Sequence, residues 1–60
     1  MIDEKIYKKL TLLSRDELYD ILTEAGIVFT EAKREELTKE ELLRVADEAD
    51  MDILESLLNK

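Results

Sequence analysis

The carboxylates are the residues that first ask for chemistry. Asp47, Glu48, Asp50, Asp52 and Glu55 crowd one short stretch, and the alternation of Asp50 with Asp52 invites a calcium loop. A helix–loop–helix calcium site needs oxygen ligands at alternating positions, a glycine at the sixth and a glutamate at the twelfth. Here Ile53-Leu54 interrupts the ligands and no glycine follows, so the cluster reads as a solvated, helix-capping face. Glu35/Glu36 and Glu40/Glu41 are paired acids of the kind that general acid–base catalysis uses, but neighbours on a helix point apart. With no histidine and no cysteine among 60 residues, serine–histidine triads, thiol nucleophiles, zinc-bound water and disulfides are excluded by composition. The expectation is a chain that is not an enzyme and takes no cofactor or metal.

The bases form two spots. Lys5, Lys8 and Lys9 flank an apolar stripe, where they either touch a phosphate or an anionic surface or cover apolar edges with their stems and pair with acids of a neighbouring helix. Lys33 and Arg34 lie in the segment 27–36, which also holds Val28 and Phe29, the only phenylalanine. Phe29 either plugs the small core between two main helices or belongs to a recognition loop, apolar at Val28 and Phe29 and basic at Lys33 and Arg34. Residues 32–36 are also compatible with a helical turn.

The formal charge is −7, with 42% of residues charged, and it is spread unevenly. Residues 1–15 are net +2; 16–32 hold five acids and no base; 33–44 balance four against four; 45–60 are net −4. Such a chain repels nucleic-acid phosphates on most approaches. No apolar run exceeds the three residues Ile27-Val28-Phe29, so neither a membrane span nor a signal-peptide core is expected. An opening methionine, no leader and no cysteine suit a cytoplasmic product. Hydrophobic residues make up 45% of the chain and fall periodically, unlike a disordered acidic tail. Sixty residues bury only about 60% of their unfolded surface, so a single domain over 1–60 is the most that fits.

The elements that must position these groups are helical. Ile2, Ile6, Leu10 and Leu13 repeat at helical spacing, which predicts a first helix over roughly 3–12. Ser14 is placed as an N-cap, Glu17 closes a capping box, and Leu13 can staple to Leu18. Leu18, Ile21, Leu22 and Ala25 form the stripe of this second helix, which Gly26 ends, with Ile27 folding back toward Leu22. The device returns at Thr38, Glu41, Leu37 and Leu42. At an offset of 24, residues 13–27 and 37–51 share five identities, the product either of two similarly capped amphipathic helices or of duplication. The third helix either runs unbroken to the C-terminus or breaks near Asp50, which with Asp52 suits a new start; the break is the preferred reading.

The run LSRDELYDILTEAGIVF followed by LTKEELLRVAD resembles the helix-extension-helix superfamily of SAP, LEM and Rho N-terminal-like domains over about residues 13–47. The matching pieces are the apolar-x-x-x-Glu-Leu start, Gly26-Ile27 at the turn, and Lys39-x-Glu41-Leu42 opening the second helix. The resemblance implies a binding module: SAP-like and Rho-like members usually contact nucleic acid, whereas LEM domains bind a chromatin protein. It also implies that Val28, Phe29, Lys33, Arg34 and Lys39 lie near the recognition surface. The loop is long for a SAP domain, and the acidity is wrong for a DNA-binding surface.

The sequence thus predicts an all-α, three-to-four-helix bundle with a helix–extended loop–helix centre. Its expected core is Ile6, Leu10, Leu13, Leu18, Ile21, Leu22, Ala25, Leu37, Leu42, Val45, Ala46, Ile53, Leu54 and Leu57. The expected function is binding of a protein partner, or of a second copy, through an apolar helix face or the 27–34 loop. Nucleic-acid binding through Lys33, Arg34 and Lys39 is the alternative. An acidic inhibitor that imitates nucleic acid is a third reading, and it requires the acids to form one contiguous face.

Overall fold

The computed structural model describes residues 3–29 and 34–59. Four α-helices carry the fold: α1 (Glu4–Thr11), α2 (Arg15–Glu24), α3 (Lys39–Val45) and α4 (Met51–Leu58). Short 3-10 turns at Arg34–Glu36 and Ala46–Glu48 precede and follow α3. No strand occurs among the described residues. The all-α bundle therefore has four helices, and the chain breaks at Asp50 as expected.

Each helix starts where a side chain can satisfy its free amides. Asp3 accepts from the Lys5 amide at 2.8 Å ahead of α1. Ser14 and Glu17 form a full capping box on α2, and Thr38 and Glu41 form another on α3. Asp50 accepts from both Asp52 and Ile53 at the start of α4. Acids in these first turns also meet the positive end of each helix dipole, so much of the −7 charge serves the helix starts.

The two capped units end differently. Gly26, at φ 101°, is the only described residue with positive φ. It lets α2 close as a Schellman motif: Ile27 N–H donates to the Leu22 carbonyl and Gly26 N–H to that of Thr23, both at 3.1 Å. Asp50 stands at the equivalent place after α3, and it carries no such freedom. The chain instead tightens into the 3-10 turn at Ala46–Glu48 and leaves through extended Ala49. The third helix is thus shorter than its apolar pattern predicts, ending at Val45.

Five leucines are fully buried, and every helix supplies at least one: Leu10, Leu18, Leu22, Leu42 and Leu54. Around them lie Ile6, Ala25, Ile27, Ala46 and Ala49. Ile27 and Ala49 were absent from the expected core; the two chain turns carry them inward. Leu18/Leu42, Leu22/Ala46 and Ala25/Ala49, paired at the offset of 24, are all buried. Helix α2 packs on α3 and α4, and α1 packs on the same two. Two expected core residues are corrections. Ile53 is 43% exposed, and Leu57 is half-buried and stands outside the core cluster. Helix α4 has five apolar residues among eight, enough for two stripes, and the core takes only Met51, Leu54 and Leu58.

Candidate partner-binding surfaces

The surface expected from the sequence centres on the segment after Gly26. Val28 is 75% exposed there. Phe29 turns inward instead: its ring stacks on Tyr19 of α2, with centroids 5.0 Å apart and planes at 25°. Arg34 also covers Tyr19, its guanidinium carbon 5.0 Å from the ring centroid. Its Nη2 lies 3.0 Å from Asp20 Oδ1, and its Nε lies 3.8 Å from Asp16 Oδ1. Arg15 holds the same segment too, with Nη1 donating to the carbonyls of Arg34 and Leu37 and Nη2 2.9 Å from Asp16 Oδ1. Arg34 is thus ringed by partners from α2.

Lys39 is held elsewhere. Its Nζ donates to the Thr11 carbonyl at the end of α1, where a cation also meets the negative end of that helix. Lys33 lies outside the described residues. Of the remaining four predicted site residues, Val28 alone presents its side chain freely. Phe29, Arg34 and Lys39 pin loop and helices together, and the fold does not bring Arg34 and Lys39 onto one element. Among the N-terminal lysines, Lys9 donates to Asn59 Oδ1 at 2.7 Å and Lys8 faces Glu4 at 3.7 Å within α1. Their partners are an amide and a same-helix acid, rather than acids of a neighbouring helix.

A second surface was missed by sequence reasoning. Leu13, Ile21 and Leu57 floor an open groove of about 340 Å³, and Glu17, Asp20 and Glu24 edge it along α2. Ile53 lies one turn before Leu57 on the same side of α4. All three floor residues had been expected in the core. The available signal was the count on α4: at 100° per residue, Met51, Leu54 and Leu58 fall on one face and Ile53 and Leu57 on an adjacent one. The groove joins helices from the two base-free stretches, 16–32 and 45–59. Sequence alone treats these stretches as separate; the packing of α2 on α4 makes them neighbours.

Electrostatically both surfaces are wet. No polar or charged side chain is buried among the described residues, so no ionisable group there is stripped of solvent. No group of three acids among those residues is arranged to hold a cation. No helix among the described residues is long and apolar enough to cross a membrane. The groove offers apolar side chains edged by carboxylates. Compared with family models, with curated proteins and with solved structures, the chain matches none of them.

Proposed function

We propose that this chain is a non-enzymatic interaction module that binds a protein partner through the apolar face shared by α2 and α4. The observation that carries this reading is the second stripe of α4. Ile53 and Leu57 are apolar, exposed or half-exposed, and unused by the core. The 27–34 loop supports it less, because Phe29 and Arg34 are engaged within the chain. A domain of this size has a stability of about 3–9 kcal/mol. Covering each of these two side chains adds up to about 1–2 kcal/mol, so a partner stabilises the fold as it binds. The cytoplasm is the proposed compartment, since a cysteine-free chain suits reducing surroundings.

The test is capture from a lysate of the source cells at moderate salt, with and without nuclease, using the native chain and an Ile53→Glu/Leu57→Glu variant. The reading expects a protein retained by the native chain after nuclease and released by the variant, whose helicity by circular dichroism is unchanged. Capture that disappears with nuclease would favour nucleic-acid contact instead.

One observation favours a second reading, an acidic inhibitor that imitates nucleic acid: α2 and α4 put the two base-free stretches side by side. Such an inhibitor would displace DNA or RNA from a basic protein. It would be insensitive to Ile53→Glu/Leu57→Glu, because charge rather than apolar burial would hold it.

A further inference from the structure

We infer that the occupant of the α2/α4 groove is an amphipathic helix of another protein, with an apolar face flanked by lysine or arginine. The inference rests on the interaction-module reading above and supplies the partner's chemistry. The floor asks for apolar side chains: Leu13 before α2, Ile21 on it and Leu57 on α4. The edge asks for bases. Glu17, Asp20 and Glu24 stand at i, i+3 and i+7 on α2, a row about 10 Å long, which matches bases placed one per turn on a facing helix.

Two of the three edge carboxylates, Glu17 and Glu24, have no cation partner among the described residues. Glu17 uses Oε1 for the Ser14 amide, a neutral donor. Asp20 uses Oδ1 for Arg34. Glu24 has no hydrogen bond or ion pair among the described residues. Arg15 pairs with Asp16, and Arg34, over the Tyr19 ring, reaches Asp16 and Asp20, so Asp20 is the one edge acid answered from within the chain. Helix α4 brings Leu57 to the groove and has no base among its eight residues.

These charges discriminate among occupants. A second copy laid groove to groove sets acid against acid, and nucleic acid sets phosphate against carboxylate. An acidic or neutral helix fills the floor but leaves the edge unanswered. The groove between α1 and α3, edged by Tyr7, Glu40, Leu43 and Arg44, mixes one acid with one base and selects no charge. The hollow lined by Asp3, Lys5, Ile6, Lys9 and Glu55 likewise mixes acids with bases, whereas the side chains lining the α2/α4 groove are apolar or acidic.

The probe is a synthetic amphipathic helix of about four turns, with leucines at i, i+4 and i+7 and lysines on both sides of them. Its control has glutamates in place of the lysines. Titration of the full chain, followed by amide NMR shifts, should move Leu13, Glu17, Ile21, Glu24 and Leu57 with the lysine peptide and leave them still with the control. Glu24→Lys should weaken binding about five- to tenfold. This variant keeps the fold, because Glu24 is exposed at the last position of α2, where a lysine suits the helix dipole. Leu57→Glu should weaken binding about thirtyfold or more.

Equal binding of both peptides, shifts centred on other residues, or no binding would overturn the inference. So would a Leu57→Glu variant that binds the lysine peptide undiminished, or sedimentation showing a dimer built on this groove. These failures are distinct from failure of the broader reading. A protein captured through Ile53 and Leu57 keeps that reading even if the lysine peptide does not bind. Capture indifferent to both residues ends it.

Discussion

Helix α2 has two unlike flanks on either side of one buried ridge, Leu18 and Leu22. On one flank lie Arg15, Tyr19 and Thr23; on the other lie Glu17, Ile21 and Glu24. The first flank is finished from within the chain: Phe29 and Arg34 cover Tyr19, and Arg15 ties down the returning backbone. The second is left open, with apolar side chains half-buried and carboxylates facing water. Both flanks offer the same materials, an apolar side chain beside acids. The difference is that the chain supplies an aromatic ring and a base to the first and neither to the second. The open flank is therefore where a partner has something to add.

Leu22→Ala strikes the ridge that both flanks share, and it should have the largest effect. A fully buried leucine reduced to alanine costs about 3 kcal/mol, a large part of the stability expected for this length. Urea denaturation should find the variant's midpoint far below that of the native chain. The contrast itself is tested by Phe29→Ala against Leu57→Ala. Removing the ring that closes the first flank should cost about 2 kcal/mol, and trimming the open flank under about 1 kcal/mol. Equal losses in chemical denaturation would erase the distinction drawn here.

Gly26→Ala tests the turn that sends the chain toward the closed flank. No atom lies within 4 Å of the added methyl, so the penalty is one of backbone alone. About 1 kcal/mol of lost thermal stability is expected. The smallest effect is expected from the ion pairs. A double-mutant cycle of Asp20→Asn with Arg34→Gln should give a coupling of about 0.5–1 kcal/mol that shrinks as salt rises. Salt-independent coupling would mean that this flank is held by something other than charge.

What the sequence made legible was local. The boxes at Ser14/Glu17 and Thr38/Glu41, the Gly26 turn and the Asp50 start each depend on residues within a few positions, and all four are found. What it hid was tertiary. Periodicity puts Ile53, Leu54 and Leu57 all on apolar faces of α4, and only its docking against α1 and α2 decides that Leu54 goes inside. Arg34 was read as a free base because its acids, Asp16 and Asp20, are distant in sequence. Phe29 resolves toward packing, since its partner Tyr19 lies on the helix before the turn. The candidate groove was invisible for the same reason: its floor residues look like core until the core is seen to be full without Leu57.

The Asp50 amide shows how the two capped units are joined. At Ser14 and Thr38 the N-cap N–H goes to the glutamate of a capping box, whereas that of Asp50 donates to the carbonyl of Ala25 at 2.9 Å. A residue with an exposed side chain thus carries a backbone proton locked between the end of α2 and the start of α4. Its exchange with deuterium should be slow, and it should quicken only when those helices part. Asp50 is therefore a built-in clock for the opening of the two units, readable in the native protein without any substitution.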